Sequence, residues 1–217
     1  MYADDTTITT DHQTASELER ITNSKVETAA DWFKANKLTL NAKKTRTMTI
    51  SPQKSALNIT IKLDDQIIKE ISQKSDEKYF KFLGFRMDNR LTWTHHSKHV
   101  INKLTTANYL LATVKNYFPK HIKRLIYMAL GQSHLEYGLP IWINKHAKTI
   151  EKLQKKCVRN ICNVKYNAHT DKLFGDLKIL KVKELHKIAA IRTIKKSHLK
   201  KTPETISNIF SKTEQTM

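Results

Sequence analysis

Residues 2–10 read Tyr2-Ala3-Asp4-Asp5-Thr6-Thr7-Ile8-Thr9-Thr10. The β-branched run that starts at Thr6 favours extended backbone, and the adjacent carboxylates suit a turn, so the stretch predicts strand–turn–strand. Neighbouring residues in a strand point to opposite faces. Only a tight turn therefore brings both carboxylates toward one cation, with Asp4 expected as the main ligand and Asp5 in support. Two-metal phosphoryl transfer uses carboxylates that bridge ions about 4 Å apart. A pair of close carboxylates also repels unless a cation or a proton intervenes. A solvated turn is the alternative reading of the same two residues.

Outward from this stretch the pattern alternates between helix and strand. Thr14-Ala15-Ser16-Glu17 has the form of a capping box, and Leu18, Ile21, Val26, Ala29 and Phe33 follow at helical spacing. That helix is expected to end near Asn36. Leu38 to Ile50 predicts two short extended pieces around Asn41-Ala42-Lys43-Lys44, ended by Pro52. Residues 58–63 and 66–71 flank Asp64-Asp65 as a hairpin. Tyr79 to Phe85 predicts one short aromatic strand that reaches Gly84.

Beyond Ser97 the period becomes helical. Val100, Leu104, Ala107, Leu111 and Val114 share a face, and Pro119 breaks the run. Ile122, Leu125, Ile126, Ala129 and Leu130 begin a second helix that should end by Gly138-Leu139-Pro140. Ile150, Leu153, Cys157, Val158 and Ile161 mark a third, and a fourth runs from Val182 to Leu199. The expected fold class is α+β: a mixed part over residues 1–92, then an all-α part over 93–217.

Charge follows the same division. The 217 residues carry 39 Lys plus Arg against 20 Asp plus Glu, a net +19. Residues 1–90 hold 15 basic and 13 acidic side chains, whereas residues 91–217 hold 24 and 7, a net of +17. Such an excess in one part points to a polyanion, because each phosphate neutralised releases counterions. Lys195, Lys196, Lys200 and Lys201 cluster at a helix end, as a phosphate-contacting stripe or as a solvated terminus. No apolar run is long enough to span a bilayer, and no membrane partner is expected. Two cysteines do not make a disulfide framework, and an intracellular setting is the expectation. Cys157 and Cys162 lie i, i+5 on a helix and do not share a face. His95 and His99 pair better, but four ligands are not available, so no structural zinc is expected. Trp93 and Trp142 read as core residues.

Several short motifs follow one another along the chain. Tyr2-Ala3-Asp4-Asp5 is followed by Leu38-Thr39-Leu40-Asn41 with Lys44-Thr45, then by Tyr79-Phe80-Lys81-Phe82-Leu83-Gly84. Asp88, Leu91, Trp93 and His96 come next, then Tyr137-Gly138 with Trp142, Leu153-Gln154-Lys155, and Leu177, Ile179, Leu180 and Leu185. In this order and spacing the chain resembles the reverse transcriptases of non-LTR (LINE-class, jockey-like) retrotransposons, from their Tyr-Ala-Asp-Asp box onward. The resemblance covers nearly the whole chain.

The resemblance implies a partial polymerase palm, of antiparallel strands plus one helix, over residues 1–92, followed by a basic helical thumb and extension over 93–217. It implies RNA-directed DNA polymerase chemistry with Mg2+ (or Mn2+) held by Asp4 and Asp5, and a nucleotide site shaped by Tyr2 and Ala3. Lys44 would sit near the triphosphate, where an ammonium offsets developing charge; a solvated turn lysine is the other reading. Phe82, Leu83 and Gly84 would form the primer grip, Gly84 allowing close backbone approach; an ordinary palm strand is the alternative. The implied partners are an RNA template, a DNA primer and deoxynucleoside triphosphates, with the basic helices following an RNA–DNA hybrid. Access to the nucleus is likewise implied by the family alone. The family also uses an upstream palm Asp and a fingers region, which the motif order does not supply. These 217 residues alone are therefore expected to be inactive as a polymerase. A non-enzymatic nucleic-acid-binding module derived from a mobile element is the rival from another class.

Overall fold

A computed structural model of the chain describes residues 6–51, 59–64, 66–72, 75–143, 146–199 and 201–204. It divides into two compact units, residues 1–95 and 96–217. The secondary structure is a mixture of helices with three two-stranded ladders.

In the first unit, helix α1 spans Ala15–Ala35. It starts where the sequence predicts, but the capping-box bonds do not form. Thr14 Oγ1 pairs with His12 Nδ1 at 3.3 Å, and Glu17 is engaged by Arg20 one turn on. The helix ends in a double turn closure: Lys37 N–H donates to Lys34 O and Leu38 N–H to Phe33 O, with Lys37 at φ 58°. Thr6–Thr10 are not in a ladder, so the strand expected there is not formed among the described residues.

Strands β1 (Arg46–Thr47), β2 (Lys62–Leu63), β3 (Gln66–Ile67) and β4 (Lys69–Glu70) follow. β2 and β3 pair antiparallel, Lys62 opposite Ile67 and Leu63 opposite Gln66, as the hairpin reading requires. Asp64 takes φ 47° at its turn, a left-handed position that Asp tolerates better than most residues. β1 pairs parallel to β4, Arg46 opposite Lys69, a contact that local pattern could not announce. Of the two extended pieces expected over 38–50, only β1 is a strand, because only β1 finds a ladder partner. Ala30, Ile61, Leu63 and Ile68 form the small core, with Val26, Leu40, Ala42 and Ile59 packed against it. The side-chain amide of Asn23 holds α1 to β2, donating to Thr60 O at 3.0 Å and accepting from Lys62 N–H at 2.9 Å.

The aromatic segment is not one strand. It is a hairpin, β5 (Phe80–Phe82) against β6 (Phe85–Met87), with Leu83-Gly84 as its two-residue turn. The three ladders do not join into one sheet among the described residues.

The second unit is helical. α2 spans Thr94–Val114 and buries Val100, Leu104, Ala107 and Leu111, the predicted face. α3 (Lys120–Tyr127) continues through a π-helical stretch at Met128–Gln132 into α4 (Ser133–Glu136). Here the expected face is wrong: Leu125 and Leu130 are exposed, and Lys123, Tyr127, Gly131 and Leu135 turn inward. Those four recur every fourth residue, a spacing that drifts around an ordinary α-helix and that the wider π turn accommodates. Gly131 permits it. A Cβ there would lie 3.1 Å from two carbons of the Tyr127 ring. α5 (Leu139–Trp142), α6 (Ala147–Cys162), α7 (Asp171–Leu177) and α8 (Val182–His198) complete the unit. No helix among the described residues is long and apolar enough to cross a membrane.

Candidate nucleic-acid interface

Within the first unit, two segments distant in sequence line one open groove of about 590 Å3. The first is the tight turn Asn41–Lys44. Asn41 holds it: its carbonyl accepts from Lys44 N–H and Thr45 N–H, and its side-chain oxygen accepts from Lys44 N–H at 3.2 Å. This leaves Lys43 and Lys44 exposed at the groove. The second segment is the entry to β5, Asp76 through Lys81.

Arg46 ties the two walls. Its guanidinium makes a paired contact with Glu77, Nε to Oε2 at 2.6 Å and Nη2 to Oε1 at 2.7 Å. The contact holds the Glu77 carboxyl below its ordinary range and lifts the Arg46 guanidinium further, each through the shared hydrogen bond. Arg46 and Glu77 thus largely satisfy one another, and Lys43, Lys44, Lys78 and Lys81 remain as cations against Asp76. Tyr79 sits among them, its ring 5.0 Å from His95 and capped by Arg86 at 5.3 Å.

Phe82, Leu83 and Gly84 lie at the tip of the β5–β6 hairpin. Leu83 has φ 45° and Gly84 φ 85°, so both turn residues are left-handed, as a tight primed hairpin turn demands. Gly84 meets that demand at no steric cost; Leu83 does so at a cost of about 1–2 kcal/mol. The Leu-Gly pair is therefore a corner, with Leu83 exposed, and not the end of a strand.

Asp88 follows directly. It is fully buried, and its carboxylate collects four donors: Arg90 N–H and Thr92 N–H on Oδ1 at 3.1 Å, Thr92 Oγ1 on Oδ2 at 2.9 Å and Trp93 N–H on Oδ2 at 3.2 Å. The loop so gathered places Leu91 (φ 49°) and Trp93 (φ 59°) in the left-handed region. The Asp-Leu-Trp-His spacing read in the sequence is thus, from Asp88 to Trp93, a loop organised by one carboxylate. Trp93 meets Phe85 edge-on, and His96 lies buried edge-on to Trp142 within the second unit.

Tyr2, Ala3, Asp4 and Asp5 lie outside the described residues, as does Lys200. Among the described residues no three His, Cys, Asp or Glu side chains gather as metal ligands would. Lys195 and Lys196 are exposed in the last turn of α8, where the helix dipole favours cations, and Lys201 N–H closes onto Lys196 O. Other cations of the second unit face inward. Lys123 is buried with its ammonium on Lys115 O at 2.8 Å, Arg124 caps the end of α7 through Leu177 O, and Arg159 binds Ala168 O. Trp142 is core, its indole N–H donated to Tyr137 O.

Sequence reading singled out Lys44 and the aromatic segment separately. It missed Lys43 and Lys81 as groove cations, although basic residues flanking Tyr79-Phe80 were the available signal. Compared with protein-family models, with curated proteins and with solved structures, the chain has no match in any of the three.

Proposed function

We propose that the chain is a partial palm with the thumb and helical extension of an RNA-directed DNA polymerase of the non-LTR retrotransposon type, and that its groove grips the backbone of an RNA–DNA hybrid. The reading rests on one observation above all. The turn carrying Lys44 and the strand leading to Phe82-Leu83-Gly84, two motifs of the family order, line a single groove together with Lys43, Lys78, Lys81, Tyr79 and Phe80. Lys43, Lys44 and Lys81 would meet phosphates, and the Leu83-Gly84 corner would bring bare backbone to the primer. Mg2+ or Mn2+, held by Asp4 with Asp5 in support, would supply charge neutralisation at the transferred phosphate when bound. The basic helices over 93–217 would follow the hybrid.

The test is binding of the full chain to an RNA–DNA hybrid across a salt series. Log K is expected to fall with log salt by about 0.7–0.9 per phosphate contacted, and Lys43→Ala/Lys44→Ala/Lys81→Ala to flatten that slope by about two to three contacts. An unchanged slope would sink the groove reading.

The second reading, a non-enzymatic nucleic-acid-binding module, is favoured by the net +17 of residues 91–217. Primer extension on poly-rA/oligo-dT tests whether this polypeptide catalyses at all. The 217 residues alone are expected to incorporate nothing with either metal. Incorporation that vanishes in Asp4→Asn would overturn that expectation.

A further inference from the structure

At one end of the second unit, two helices finish side by side and release exposed aromatics. α2 leads to Lys115-Asn116-Tyr117-Phe118, and α6 to Asn163-Val164-Lys165-Tyr166. Asn163 Nδ2 donates to Asn116 Oδ1 at 3.1 Å, and Asn160 Nδ2, one turn back on α6, donates to Asn108 Oδ1, two turns back on α2, at 3.0 Å, so the two ends are tied. Asn163 is itself locked at φ 52°, with Val164 N–H on Arg159 O closing α6. Past this tie Tyr117 is 82% exposed, Tyr166 89% and Phe118 47%. Tyr117 and Tyr166 are the most exposed tyrosines among the described residues of this unit, ahead of Tyr109 at 69% and Tyr137 at 49%, while Tyr127 is fully buried. Chain geometry bounds the Cα separation of Tyr117 and Tyr166 at roughly 25 Å. Lys115, Lys120 and Lys165 are exposed in the same segments. Lys120 acts electrostatically on Cys162 at the end of α6, so the start of α3 shares this end; Asp176 is the acidic group that also reaches it.

We propose that this end of the second unit is a stacking platform for single-stranded nucleic acid, with Tyr117 and Tyr166 each taking a base and Lys115, Lys120 and Lys165 meeting the phosphates between them. A flat ring offered to solvent beside cations is what sequence-tolerant single-strand binding uses, since every base has a π-face. A protein partner would be served by an apolar surface free of charge at its centre, whereas here lysines interleave with the rings. The platform stands on the second unit and does not rest on the polymerase reading.

The experiment is fluorescence anisotropy of the full chain with labelled oligothymidylate of about 16 nucleotides, the upper site size for such binders. A duplex of equal length is measured in parallel. Tyr117→Ala/Tyr166→Ala is expected to weaken the single strand about fivefold or more per tyrosine while leaving the duplex unchanged. Tyr117→Phe/Tyr166→Phe, which keeps the rings, should bind as the parent does. Wild-type affinity in the alanine pair would overturn the platform, as would equal losses on duplex. Concentration-dependent self-association abolished by the alanine pair would also overturn it, assigning the face to protein contact. If the platform fails while the Lys43, Lys44 and Lys81 variants still lose hybrid, the polymerase reading survives; the reverse result would leave the platform alone.

Discussion

Gln154 donates its side-chain amide to the phenol oxygen of Tyr127 at 3.0 Å, and both side chains are completely buried. The same amide nitrogen reaches Leu180 O at 2.9 Å, and its oxygen accepts from Val182 N–H at 3.0 Å. One glutamine on α6 therefore joins α3 to the start of α8. Burial lifts the Tyr127 hydroxyl above its ordinary range and keeps it a neutral partner.

Gln154→Ala removes these bonds and strands the part-buried Leu180 carbonyl, a buried N–H and a buried hydroxyl. The expected loss is about 2–4 kcal/mol, read as a lower urea midpoint for helical signal. Gln154→Leu fills more of the space but leaves the same groups unpaired, so it should recover only part of that loss.

Cys157 gives the stability of the same unit an alkaline dependence. Burial pushes its thiol from an ordinary value of 9.0 up to about 12. Its folded pKa is raised, so the stability it contributes is fully present below about pH 9 and is lost as pH rises toward about 12. Urea midpoints measured from pH 7 to 11 should fall at the top of that range, and Cys157→Ala should reduce the dependence. Native Cys157 should also resist a thiol reagent at pH 8, while half-buried Cys162 reacts first.

Asp88→Ala deletes the carboxylate that gathers the loop to Trp93. With four donors released in a buried site, the expected cost is about 2–4 kcal/mol. Amide exchange at Thr92 and Trp93 should rise to near that of an open chain. Asp88→Asn keeps one accepting oxygen and should fall between the two.

The Leu83-Gly84 corner gives opposite results at its two positions. Leu83→Asn suits the left-handed backbone better and should stabilise the hairpin by about 1 kcal/mol. Gly84→Ala should destabilise it by about 1–2 kcal/mol, with line broadening across Phe80–Met87 in NMR spectra. If both changes leave the hairpin untouched, the turn geometry is not as described.

Local order in the chain carried α1, the Asp64 hairpin, the break at Pro119, the α2 face and the separation of charge between the two parts. The charge separation is a matter of composition, and the others depend on residues one turn or one pleat apart, a range at which side-chain spacing sets backbone periodicity. Tertiary structure decided the rest. The parallel pairing of Arg46 with Lys69 needed two segments to meet. The inward phase of Tyr127 needed a π turn and a missing Cβ at Gly131. Gln154 stood in the Leu153-Gln154-Lys155 motif, and it becomes a buried clamp because Leu180 and Val182 present backbone groups to it. Asp88 stood in a legible motif, yet its work as the hub of its loop follows from burial, which spacing does not encode. Burial of a polar group is set by partners remote in sequence, and a lone periodicity holds no record of them.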